Sequence, residues 1–227
     1  MPAYLVAYLY TDLFDYAGPV QRLLRTWFNW QSPNDYYFFD IRTIGGAAIV
    51  IALVMFPYVY MLTRTAFEQQ DRNLLRASRL LGCTERQSFY QVALPLARPA
   101  IAVSLALVTM ETLADFATVQ YFAVNTLTTA IYDTWLGYSD FAAANALASV
   151  LMLFILFIVV AEQRARAGQL HQSSRPNTQH QRKQLSIVQQ IMASIFCWFL
   201  VFAGFLLPII LLLTMAIDYA DYNQLVA

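Results

Sequence analysis

Glu111 and Asp115 are the residues whose type and setting first suggest chemistry. Both carboxylates stand in an otherwise apolar stretch, four positions apart, so a helix running through them carries both on one face. An ionised carboxylate in hydrocarbon is costly and normally faces a bundle interior or a water-filled cavity. Two roles fit such a pair. It can line a path for a cation or its escort, or it can make interhelical hydrogen bonds and cap a broken helix near the end of a span. Metal chemistry has little else to draw on: Cys83 and Cys197 are far apart, and His171 and His180 lie in a polar stretch. No Cys or His spacing suggests zinc or a disulfide framework, so no metal site and no cofactor is expected. No glycine is followed by the Lys-Ser or Lys-Thr of a phosphate-binding loop, and no catalysis is expected of this chain.

The elements that must position these carboxylates are set by composition. Of 227 residues, 59% are hydrophobic and only 12% charged, about half the charged fraction of soluble domains. Cations and anions balance at 14 each, which argues against a nucleic-acid partner. A helix crosses a bilayer with roughly 20 mostly apolar residues. Ile44 to Thr63, Phe141 to Ala161 and Ile187 to Ile217 are uncharged throughout, and Pro99 to Met110 runs on through Glu111 and Asp115 to Phe122. Met1 to Tyr16 is apolar but short and lacks the basic start of a signal peptide. The fold class is therefore an all-α polytopic membrane protein, with membrane lipid as its first partner.

Orientation follows from the cations. Arg64 to Arg98 holds six arginines, and Gln163 to Ser186 holds four more and Lys183, whereas the remaining connections hold only Arg22, Arg25 and Arg42. Alternating spans put the two cation-rich loops on one side, which the positive-inside bias makes the cytoplasm. Trp27, Trp30, Tyr36, Tyr37 and Phe38 then fall on the outer side, as an interfacial aromatic belt. The segment 163–186, rich in Gln, Ser and Arg, reads as a flexible cytoplasmic linker. The lone span after it cannot bury a packing face by itself and is expected to begin a second bundle. The sequence is accordingly expected to be a fragment, cut at both ends.

The most informative loop is the first cation-rich one. Leu74, Leu75, Ala77, Ser78, Leu80 and Leu81 recur at helical spacing, and Gly82 follows as a left-handed stop. Thr84-Glu85-Arg86-Gln87 has the form of a capping box that restarts a helix. Leu94-Pro95 is expected to end that helix and Pro99 to open the next span. Two short helices joined at a glycine would lie under the membrane, presenting Arg79, Cys83 and Arg86 as a docking element.

The run Arg76-Ala77-Ser78, three residues, Gly82, nine residues, Val92-Ala93-Leu94-Pro95 resembles the EAA loop of ABC importer permeases. The family pattern is Glu-Ala-Ala, three residues, Gly, nine residues, Ile-x-Leu-Pro. Ala77, Gly82, Leu94 and Pro95 match in identity; Ser78 and Val92 depart mildly, and Arg76 reverses the charge of the family glutamate. Segments such as Tyr10-Thr11-Asp12-Leu13, Pro57-Tyr58-Val59-Tyr60, Leu94 to Ala100, Met110 to Phe116 and Gly204 to Pro208 resemble the iron(III) importer permeases, which fuse two permease halves in one polypeptide. The resemblance implies a type I importer fold with residues 1–162 as part of the first permease half, 163–186 as the linker and 187–227 as the first helix of a second half. It implies partners as well: a cytoplasmic ABC ATPase dimer docked on the loop of Arg76, Ala77, Ser78, Gly82, Cys83, Thr84, Val92, Leu94 and Pro95, a periplasmic substrate-binding protein, and the second permease half. ATP would be hydrolysed in the separate nucleotide-binding subunit. Ferric iron is the implied cargo. Thiamine, a polyamine or a phosphonate are the alternatives within the class, and a secondary transporter or a non-transporting scaffold are alternatives outside it.

Overall fold

The structure, a computed structural model, describes residues 1–30, 32, 35–167 and 186–226. All regular structure among the described residues is helical. In chain order the helices are α1 (Ala3–Phe14), α2 (Pro19–Phe28), α3 (Ile44–Glu68), α4 (Arg72–Leu80), α5 (Glu85–Ser88), α6 (Leu94–Ala114), α7 (Ala117–Tyr121), α8 (Leu127–Tyr132), α9 (Phe141–Ala167), α10 (Ile187–Val201) and α11 (Leu207–Val226). Single π-helical turns, Phe89–Ala93 and Phe202–Leu206, join α5 to α6 and α10 to α11 without a break. Four helical stretches among the described residues are long and apolar enough to cross a membrane: Ile44–Glu68, Glu85–Ala114, Phe141–Arg164 and Ile187–Ile217. Three of the expected spans recur within a few residues at their ends, whereas the one expected from Pro99 to Phe122 lies instead over Glu85–Ala114.

Local chemistry explains where the helices start. Pro19, with no N–H to satisfy, opens α2 after Gly18. Asp71 caps α4 by accepting from the Asn73 N–H at 2.9 Å. Ser186 and Gln189 form a capping box that opens α10.

The chain divides into two compact units. The first contains 1–54, 115–130 and the described residues 186–226. Its core is Val6, Ala7, Tyr10, Ile41, Ala47, Val50 and Phe122, with Leu207 packed against it. The last long helix therefore packs in one unit with the first: the Tyr10 hydroxyl donates to the carbonyl of Ala203. The second unit contains 55–114 and the described part of 131–184; α6 packs along α9 there, and the α4–α5 hairpin belongs to it. Most of the expected linker, including His171, Ser173 and His180, lies outside the described residues.

One expectation is corrected. Leu94-Pro95 does not end a helix and Pro99 does not open one, because the helix runs from Glu85 to Ala114 with both prolines inside it. The π turn supplies the reason. The Leu94 N–H donates five residues back, to the Phe89 carbonyl, so Pro95 falls in the first turn of a new α register, where a missing donor disrupts least.

Candidate functional site

The hairpin of α4 and α5 is shaped by its turn. α4 closes in a full Schellman arrangement: the Cys83 N–H reaches the Ser78 carbonyl at 3.1 Å and the Gly82 N–H reaches the Arg79 carbonyl at 3.0 Å. Gly82 takes φ +91°, in the left-handed region open to a residue without Cβ. Two residues on, Thr84 Oγ1 accepts from the Gln87 N–H, and Gln87 Oε1 accepts from the Thr84 N–H at 2.9 Å, completing the capping box. The chain thus leaves one helix and enters the next within Leu81 to Thr84. The expected glycine stop and threonine cap are both present.

Contacts the sequence did not announce lock the two arms. The hydroxyls of Ser78 and Ser88 lie 2.7 Å apart, and both residues are buried. Ser78 also donates to the Leu75 carbonyl at 2.9 Å, so the single Ser88 hydrogen is the one that bridges the arms. Arg79 and Glu85 add an exposed ion pair at 3.6 Å, a minor term in water. At the base, Gln70 donates to the Ala93 carbonyl at 2.8 Å, and the rings of Phe67 and Phe89 stack with centroids 5.9 Å apart. Gln70 and Phe67 tie the end of α3 to the π turn that leads into α6. No spacing rule singles out Ser78 with Ser88 or Gln70 with Ala93, since each pair meets only after the turn is folded.

The other predicted residues fall around this frame. Arg76 and Ala77 are exposed on α4; Cys83, Val92, Leu94 and Pro95 are half-buried. At the turn, Leu80 and Leu81 are 89% and 86% exposed. Two neighbouring leucines are thus held outward as an apolar tip at the turn.

Glu111 and Asp115 do not share a helix. α6 ends at Ala114 and Asp115 lies beyond it, contrary to the expectation of one continuous face. Asp115 Oδ1 accepts from the Thr118 N–H at 3.0 Å, covering an orphan donor at the start of α7, and the Thr128 hydroxyl donates to the Asp115 carbonyl at 3.1 Å. Glu111 is exposed on α6. Asp115 has the geometry of a cap at a helix break. Among the described residues no group of three or more His, Cys, Asp or Glu is placed to hold a metal ion.

Four long apolar helical stretches, two of them joined through a capped hairpin, define a multi-pass membrane protein. Residues 1–167 match the family described as the binding-protein-dependent transport system inner membrane component, and the chain belongs to that family of type I ABC importer permeases, multi-pass proteins of the inner membrane. It is 32% identical over 164 residues to a putative ferric transport system permease protein of Haemophilus influenzae, covering 71% of this chain and 25% of that one. A ferric transport system permease protein of Actinobacillus pleuropneumoniae is 30% identical over 164 residues, with 71% and 23% covered. A putative 2-aminoethylphosphonate transport system permease protein of Salmonella typhi is 26% identical over 173 residues, with 74% and 59% covered. The chain spans about a quarter of the length of the two ferric relatives.

Proposed function

We propose that the chain forms part of the translocation pathway of an ATP-driven importer, receiving its solute from a periplasmic binding protein and driven by a cytoplasmic ATPase dimer docked on the α4–α5 hairpin. The observation that carries this reading is the hairpin: an exposed Leu80-Leu81 tip on arms locked by Ser78 and Ser88, running into α6 as one helix. A push on the tip is delivered along that helix because no break intervenes at Pro95. The chain itself does no chemistry on ATP; its work is to couple and to conduct. Residues 1–162 are assigned to a first permease half, 163–186 to a linker and 187–227 to the first helix of a second half.

Ferric iron is the proposed cargo, supported by the two ferric permeases at 32% and 30% identity. Aminoethylphosphonate is the second reading, supported by a relative of which this chain covers the larger share, 59%. Uptake of radiolabelled ferric iron and of labelled 2-aminoethylphosphonate, measured side by side in proteoliposomes holding the permease, its ATPase and its binding protein, decides between them. Iron uptake that depends on ATP supports the proposal. Phosphonate uptake without iron uptake replaces the cargo, and ATP-independent uptake of either removes the ABC mechanism.

A further inference from the structure

The short helix α2 buries a glutamine most deeply, with Val20 and Leu24 half-buried beside it, and leaves larger apolar side chains outward. Gln21, its most buried residue, donates to the Phe14 carbonyl at 2.9 Å and accepts from the Tyr36 hydroxyl at 2.6 Å. Arg25 also turns inward, its guanidinium 4.1 Å from the centre of the Tyr16 ring. Leu23 and Trp27, one turn apart, are left 60% and 79% exposed. Arg22 and Thr26 are exposed too, and helical periodicity sets them beside Leu23 and Trp27 as a polar strip next to an apolar one.

Three contacts hold this helix beside the end of α1 and the start of α3. Asp15, the residue after α1, pairs with Arg42 at 2.9 Å, and Arg42 stands two residues before α3, a membrane-crossing helix, begins at Ile44. Gly18 packs so tightly on the end of α1 that a Cβ there would come within 2.6 Å of the Leu13 carbonyl oxygen. Gln21 then clamps the first turn of α2 to the Phe14 carbonyl. α2 is thus tied close to the start of α3, a helix long and apolar enough to cross a membrane.

We propose that α2 is an interfacial helix whose outer face is covered by phospholipid of the leaflet at which α3 begins, on the cation count the outer one. Leu23 and Trp27 sit among the upper acyl chain and glycerol groups, and the Arg22 guanidinium faces the lipid phosphates. Three features select lipid as the occupant: continuity with the start of a membrane-crossing helix, a cation beside the apolar strip to complement an anionic headgroup, and an indole at the boundary that indoles favour.

Trp27 reports its own surroundings. In the full chain carrying Trp30→Phe, Trp135→Phe and Trp198→Phe, reconstituted in nanodiscs of phosphatidylethanolamine and phosphatidylglycerol, Trp27 emission should be quenched by lipids brominated on the acyl chain. Bromines near the headgroup end should quench most, and aqueous acrylamide should quench little. Strong acrylamide quenching without bromolipid quenching would show a water-facing helix and overturn the proposal. Shielding from both quenchers would show a protein cover and overturn it equally. Should the triple variant fail to insert, the difference between the unsubstituted chain and Trp27→Phe isolates the same signal and is read by the same criteria.

Discussion

Substitution at Gly82 tests the proposed coupling role, because its cost can be worked out in advance. The residue holds φ +91°, and a Cβ built there meets no atom within 4 Å. Crowding therefore contributes nothing, and the whole penalty is backbone conformation. For a β-branched side chain it is about 2 kcal/mol, within the 1–3 kcal/mol of residues forced into sparsely populated regions. Relaxing φ to a negative value instead gives up the Cys83-to-Ser78 and Gly82-to-Arg79 hydrogen bonds, about 1 kcal/mol each. Either route depletes the native turn roughly thirtyfold relative to alternatives, taking 1.4 kcal/mol per factor of ten. Gly82→Val in the complete permease should leave membrane insertion intact, since Gly82 lies outside the four long apolar stretches, and should sharply lower both transport and ATPase activity stimulated by the binding protein. Gly82→Asn, whose side chain tolerates the left-handed region, should retain most activity, and Gly82→Ala should fall between. Normal transport by Gly82→Val with the ATPase bound would refute the hairpin as coupling element. Equal damage from Asn and Val would refute the backbone argument, since the two differ chiefly in tolerance of positive φ.

Arg76→Glu, which restores the family residue at an exposed position of α4, should leave uptake unchanged. Ser78→Ala strands the buried Ser88 hydroxyl and should cost about 1–3 kcal/mol, whereas Ser88→Ala leaves Ser78 its Leu75 bond and should cost less; thermal unfolding of the purified protein in detergent ranks the two. Tyr10→Phe should lower the same midpoint by removing the donor to the Ala203 carbonyl. A cysteine placed at Ser173, after Cys83 and Cys197 are changed to Ser, should resist a membrane-impermeant thiol reagent applied to intact cells; labelling there would overturn the assignment of segment 163–186 to the cytoplasm.

What could be read from the sequence was whatever depends on composition and near neighbours. The four long helices follow from apolar runs of sufficient length. The Gly82 stop and Thr84 cap follow from the backbone freedom of one residue and the reach of one hydroxyl. What depends on register shifts or on partners distant in the chain was hidden. Periodicity through Glu111 and Asp115 assumes an unbroken helix, whereas α6 ends at Ala114 and Asp115 accepts from the Thr118 N–H; a cap at a broken helix was one of two roles legible beforehand, but not where the break falls. The inward turn of Gln21 on α2 depends on a carbonyl seven residues back and a tyrosine fifteen residues on. A hydrophobicity pattern taken alone would have buried Leu23 and Trp27.

The prolines show how a simple stop rule fails. Phe89 to Pro95 and Phe202 to Pro208 share the pattern Phe, four residues, Leu-Pro, and in both a π turn covers the five residues before Leu. In the second, the Leu207 N–H donates to the Phe202 carbonyl, five residues back. The next carbonyl, Ala203, would receive from residue 208, and proline has nothing to give. An unpaired carbonyl inside a membrane protein must find another donor. The Tyr10 hydroxyl supplies it, and Pro208 itself is fully buried. The orphan left by a helix-breaking residue thus becomes a specific contact between the first and last helices of one unit. Pro208 neither ends the helix nor merely kinks it; it frees the acceptor that α1 uses to recognise its neighbour.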